Sequence, residues 1–356
     1  MTAVSAKSPR LTATTQAPAR PATGEIPGLY WVVGALLVLA PLFCSHFVLL
    51  QILGWAMILG MIALSLMFLA GYGGMVSLVQ LTIAGIAGYL TAILGTSAVS
   101  GISLNWPWWL AVPVAMLVAV VFGTLVGALA VRTAGIYTIM ITLAIAAAFF
   151  YFVQQNYAVF NGFTGFNNLI PPVFLGVDWH NPIAFYYLIL SCAALAYLAV
   201  LYVARTPFGL ALQGVRDNAR RMAALGFSVT AHRIAAYSVA SLIAAVAGVL
   251  LVWLNAQVSP GTVAVGPAID ILIIAVVGGI GHPIGAFIGA LIYVILRTFA
   301  LDALVAVGLS GERFQLLIGL GFLIIVFGSP DGLLGLWTKL QNRSQRGILP
   351  DREVSR

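Results

Sequence analysis

The sequence predicts an all-α polytopic membrane fold of about ten transmembrane helices, on three observations. Hydrophobic residues make up 62% of the 356 and charged residues only 7%, with a mean hydropathy of +1.08. A soluble domain has too little interior to absorb that apolar load. From Leu29 to Ala204 the only charged side chains are Arg132 and Asp178. The apolar runs are each about 20 residues long, enough for a helix to cross a hydrocarbon core of roughly 30 Å. They also carry the glycines and prolines that membrane helices tolerate. Barrel strands would instead alternate in segments of about ten residues.

Residues 1–28 are rich in Ala, Thr, Ser and Pro, with Lys7, Arg10 and Arg20, and are too polar to bury a core; they read as a disordered cytoplasmic tail. The run Leu29–Leu50 is longer than a signal-peptide core and is followed by no small-residue cleavage site, so it is kept as the first span. Further apolar segments fall at 52–70, 75–98, 108–131, 134–153, 183–204, 232–254, 269–281, 283–300 and 313–328. Within them, 269–300 also reads as re-entrant. The transmembrane domain is thus expected over 29–338, with a loop at 205–231 and a cytoplasmic tail at 339–356.

Placing the N-terminus inside puts all of the sixteen Lys and Arg residues except Arg297 and Arg313 on the cytoplasmic side. Asp178, Asp270, Asp302 and Glu312 fall near the opposite face. An excess of Lys and Arg in short loops marks the cytoplasmic face, so the topology reads N-in and C-in. The net charge of +7 is accounted for by arginines beside anionic lipid and calls for no nucleic acid partner. Trp106, Trp108, Trp109 and Trp179 lie at the opposite boundary, where indole rings favour the interface.

Several chemistries are absent. A P-loop needs a lysine to reach phosphates, and the only lysines are Lys7 and Lys339, both in the tails. His46, His180, His232 and His282 lack metal-ligand spacing, and Cys44 and Cys192 lie inside apolar runs, so no metal, cofactor or disulfide framework is expected. Asp270 stands at the predicted start of a span, where a carboxylate reads as a helix cap. For a solute path, the uncharged polar residues Gln80, Thr82, Thr138 and Thr142 are candidates, because polar groups facing lipid are costly.

The stretch TPFGLALQGVRDNARRMAALGF, 206–227, gathers Arg216, Arg220 and Arg221 in one loop. Pro207 suits a new helical start. Asn218 suits the cap of a short helix from Ala219 to Leu225, closed by a left-handed Gly226. Ala219, Met222, Ala223 and Leu225 would form an apolar face rimmed by Arg216, Arg220 and Arg221. From charge alone the loop equally reads as a basic anchor on lipid headgroups.

The 206–227 stretch and its continuation SVTAHRIAAYSVASLIAAVAGVL resemble the cytoplasmic loop of LivM-type permeases of branched-chain amino acid ABC importers. The pieces GYGGMVSLVQLTIAGIAGYLTAIL, RTAGIYTIMITLA, NGFTGFNN, VSPG, VVGGIGHPIGAFIGALIYVILR and LLIGLGFLIIVFGSPDGLLGL follow in the family's order, over roughly residues 30–337. The resemblance implies a type II-like importer permease without its own ATP-hydrolysing site, in a bacterial plasma membrane. Its implied partners are two ABC ATPases docking on the loop, a second and paralogous permease, and an extracytoplasmic solute-binding protein. Urea and amide permeases are close relatives, and a secondary transporter or a passive channel for a small neutral solute also fits the composition.

A fluorescent reporter fused after Lys339 is therefore expected to be fluorescent in cells, and alkaline phosphatase inserted within 156–181 to be active. The reverse pattern would overturn the N-in, C-in topology.

Overall fold

The computed structural model describes residues 27–99, 101–133, 135–173, 176, 179–306, 319, 320 and 332. The tail before Pro27, the span expected near 313–328 apart from residues 319 and 320, with Glu312 and Arg313, and the 339–356 tail lie outside these residues, as does Asp178.

The described chain is all-α apart from one pair of two-residue strands. Helix α1, Pro27–Phe43, is a unit of its own, with Leu36, Leu42 and Phe43 exposed. The second unit begins at Cys44. Its first helix, α2, is a continuous 25-residue span, Val48–Tyr72, with π turns at Val48–Gly54 and Phe68–Tyr72 around a regular centre, Trp55–Met67.

The expected break near Gln51 is displaced: the helix runs through that residue and the interruption falls at Cys44–Ser45. A single exposed glutamine does not break a helix. Pro41, which lacks an N–H, lies in the last turn of one helix, and the Ser45 hydroxyl accepts from the Val48 N–H at 3.4 Å to begin the next.

Helix α3 is Gln80–Leu94, shorter than the 75–98 expected, because the chain leaves helical geometry after Gly74, whose φ is +66°. Four long apolar helices follow the predicted ranges closely: α4 (Trp108–Ala130), α5 (Ile136–Gln155), α7 (Pro182–Arg205) and α9 (Val229–Asn255). Between them lie α6 (Tyr157–Phe160) and α8 (Pro207–Ala224).

Helices α10 (Val265–Gly278) and α11 (Pro283–Ala306) are bent by 118° at their four-residue break. They turn back on each other and do not continue as one straight span. A Cβ on Gly278 would lie 1.9 Å from the Gly285 carbonyl oxygen, so only glycine permits this approach.

Helices α2, α3 and α9 form the centre, and α3 is packed against both α4 and α9. A side chain at Gly248 would meet the Ala84 carbonyl oxygen at 2.0 Å, which is why α9 can lie against α3 backbone to backbone. The outer helices turn large apolar side chains outward, among them Leu117 and Leu125 on α4, Met140 on α5 and Leu195 and Tyr202 on α7. Such a surface is at home in lipid and unsustainable in water. The chain is a multi-pass membrane protein.

At one end, strand β1 (Phe166–Asn167) pairs antiparallel with β2 (Gln257–Val258), with Phe166 opposite Val258. The segments NGFTGFNN and NAQVSPG are thereby joined. Beneath them Tyr89, Phe160 and Phe166 meet edge to face at 5.5 and 6.3 Å.

Replacing Gly248 with Leu is expected to force α3 and α9 apart and to cost about 1–3 kcal/mol, the usual range for overpacking. It should lower the melting temperature in detergent. Gly281→Ala, whose Cβ would meet nothing within 4 Å, should leave it unchanged.

Candidate functional site

Where α7 ends, Thr206 caps α8: its hydroxyl accepts from the Gly209 N–H at 3.3 Å, and Pro207 occupies the first helical turn. The Gln213 side-chain amide donates to the Ala204 carbonyl at 3.1 Å and to the Gly209 carbonyl at 3.2 Å, satisfying a carbonyl at the end of α7. Ala211, Leu212 and Val215 are buried beneath α8. Phe208 stacks on His232 of α9 with ring centroids 5.8 Å apart, and Phe227 meets the same ring edge-on. His232 thus fastens the loop to the start of α9.

Within α8, Asn218 breaks the helix, with φ −156° and ψ 91°. Its Oδ1 accepts from the Arg221 N–H at 2.9 Å, capping the second piece. That piece closes as a Schellman turn. Phe227 N–H donates to Met222 O at 3.1 Å and Gly226 N–H to Ala223 O at 3.0 Å, with Gly226 at φ +89°. The capped helix read from the sequence is present, ending at Ala224.

The loop's side chains divide differently from the expected apolar face and basic rim. Arg220, Arg221, Ala223 and Gly226 are exposed, as is Leu225 at 66%, while Ala219 is half-buried. Met222 is also half-buried, lying over Gly214, where an added Cβ would meet its sulfur at 2.9 Å. Arg216 is exposed but turns its guanidinium toward α2. It donates to the Gly71 carbonyl at the end of α2 and pairs with Asp217 at 2.9 Å. The reason is that Gly71 closes a π turn whose last carbonyls lack helical partners, and a guanidinium at a helix C-terminus meets both the hydrogen bond and the dipole. The loop is therefore tied to α2, α7 and α9 together.

The polar residues proposed for a solute path sit in helix contacts. Gln80 is buried at the start of α3, its Oε1 accepting from Ser65 Oγ at 3.1 Å while its Nε2 has no hydrogen-bond partner among the described residues. Thr82 is buried, and its hydroxyl has no hydrogen-bond partner among the described residues. The Thr142 hydroxyl accepts from the Leu78 N–H at 3.2 Å and turns back to its own helix at 3.0 Å, and Thr138 lies 3.3 Å from the Thr133 hydroxyl. None of the four lines the cavity described next.

That cavity, about 330 Å³, opens between α2, α9, α10 and α11 near the β1–β2 end. Its polar wall includes Asn255, Thr262, Asp270, Tyr293 and Arg297. Asp270 is not a helix cap: α10 begins after Ala264, and Asp270 lies in its second turn, accepting from the Tyr293 hydroxyl at 2.8 Å through Oδ2. Arg297, one turn beyond Tyr293, lines the same cavity. The sequence carried a signal for this pair, since Arg297 stood on the wrong side of the charge partition.

A model of the family described as the branched-chain amino acid transport system permease component matches residues 48–326. The chain is 24% identical over 266 residues to the high-affinity branched-chain amino acid transport system permease protein LivM of Escherichia coli strain K12, covering 67% of this chain and 61% of that protein. It is 24% identical over 250 residues to the protein of that name from Salmonella typhimurium, covering 64% and 57%. The probable branched-chain amino acid transport permease protein LivM of Methanocaldococcus jannaschii is 27% identical over 233 residues, covering 62% and 67%. The match to the two bacterial proteins spans about three fifths of their length. No solved structure matches.

Replacing Asn218 with Ala removes the acceptor for the Arg221 N–H and is expected to cost about 1 kcal/mol of local stability. Amide exchange over 219–224 should then accelerate roughly fivefold, given that cost. Asn218→Asp should retain protection, and unchanged exchange in Asn218→Ala would contradict the capping role.

Proposed function

The chain belongs to the branched-chain amino acid transport system permease family, and on that premise we propose that it is a membrane subunit of an ABC importer for branched-chain amino acids or related small polar solutes. Its energy comes from two separate ABC ATPases. A second, paralogous permease completes the membrane part, an extracytoplasmic solute-binding protein delivers the solute, and the assembly resides in a bacterial plasma membrane. The absence of a P-loop lysine in the sequence agrees with ATP being hydrolysed elsewhere.

The observation that carries this reading is the bracing of the 206–227 loop. Its outer helix presents Arg220, Arg221, Ala223 and Leu225, an apolar centre with a cationic rim of the kind that anchors a protein interface. Its inner face is bonded to three helices, through Arg216 at Gly71, Gln213 at Ala204 and Phe208 at His232. A loop that only rested on lipid headgroups would need charge and no such bracing. In this reading the ATPases grip the outer face. Their closure on ATP moves the loop, and α2, α7 and α9 move with it, so that the two enzyme states favour two arrangements of the helices. The joined segments at the β1–β2 end form the docking surface for the solute-binding protein.

Leu225→Glu combined with Arg221→Glu is expected to abolish ATPase co-purification and to reduce solute uptake at least tenfold, while leaving membrane insertion intact. Arg216→Gln should keep the ATPases bound yet lower uptake, because the grip survives and the link to α2 does not. Unchanged uptake in both variants would sink the coupling assignment.

A further inference from the structure

The cavity between α2, α9, α10 and α11 is lined by an acidic and a basic side chain, Asp270 and Arg297, that the loop does not use. We propose that it is a solute-binding site for a zwitterionic amino acid with an aliphatic side chain, an inference that rests on the permease function above. Asp270 receives the ammonium group, Arg297 the carboxylate, and the apolar wall of Leu59, Leu251, Ile271 and Ile274 the aliphatic chain.

Ionisable residues are scarce in this chain, and one inside a membrane segment is costly enough to mark a solute or ion path. Here two of opposite sign face one cavity from adjacent helices, so the empty site is neutral overall and a ligand carrying both charges leaves it so. A neutral amide would need hydrogen-bonding groups but no formal charges.

Asp270 is oriented by Tyr293, whose hydroxyl donates to its Oδ2 at 2.8 Å. Arg297 follows Tyr293 by four residues and so lies on the same helical face. Asn255 and Thr262 add uncharged polar groups beside them. The volume, about 330 Å³, falls in the lower part of the range for small-molecule sites.

A structural account would have the charges fasten α10 to α11. Those helices are already joined without them. Gly278 abuts the Gly285 carbonyl, and Gly289 abuts the Ile274 carbonyl, where an added Cβ would lie at 2.2 Å. The fastening leaves the charges free for another role.

The test uses the intact transporter in proteoliposomes, with radiolabelled leucine as probe and equal amounts of membrane-inserted chain. Asp270→Asn and Arg297→Gln are each expected to lower leucine uptake at least tenfold at limiting solute. The double variant Asp270→Asn/Arg297→Gln should recover none of it, since a ligand site needs both charges and a structural pair only their balance. In a protein carrying Cys44→Ser and Cys192→Ser, leucine should slow thiol labelling of Asn255→Cys at least threefold, a readout that keeps both charges in place. Single variants within twofold of the wild type, recovery in the double variant, or labelling indifferent to leucine would overturn the site while leaving the importer reading intact. A wild-type transporter that imports no leucine would instead overturn the functional reading, and the site with it.

Discussion

Hydrocarbon offers no water to a backbone amide, so every interruption of a helix in this chain has to be satisfied by the protein itself. The structure follows from where those interruptions are affordable. The break after Gly74 is covered because the Leu78 N–H finds the Thr142 hydroxyl, and the end of α7 because Gln213 reaches the Ala204 carbonyl. The open carbonyl of Gly71 is met by Arg216. Each repair ties one helix to another, so the backbone constraint that fragments the spans is also what joins them.

Four of the long apolar helices were legible in the sequence because hydrophobic length is a long-range, averaged signal. Helices α4, α5, α7 and α9 begin and end within a few residues of their predicted ranges. The boundary at 44–45 was not legible, since it is marked by the Ser45 cap and not by a dip in hydropathy, and averaging across 29–50 conceals it. The shortness of α3 was missed for a similar reason: residues 75–79 are apolar but not helical.

The basic loop shows the same division between local and tertiary information. Its caps were readable because Asn218 and Gly226 act on backbone groups a few residues away. The direction of Arg216 was not, because its partner Gly71 is 145 positions distant in the chain. Asp270 was misassigned as a cap because its partner Tyr293 is reached only after the chain reverses at Gly279–His282. Arg297, in contrast, stood out in the sequence through its place in the charge partition, although nothing local explained it.

These tertiary contacts bear on how motion at one end of the molecule reaches the other. Helix α2 meets the loop at Gly71 and forms part of the cavity wall through Trp55 and Leu59. Helix α9 meets the loop at His232 and reaches the cavity with Leu251 and Asn255. Along α2 the separation is roughly 20 Å at the helical rise per residue. In the proposed mechanism, two helices that are each continuous between loop and cavity carry displacement without needing a chain of side-chain rearrangements. Their neighbour across the cavity is the hairpin of α10 and α11, whose close contacts are backbone to backbone at glycines. Such contacts have no side chains to deform and hold α10 to α11, so in the proposed mechanism the hairpin is the unit against which α2 and α9 shift, with Asp270 and Arg297 facing the space between.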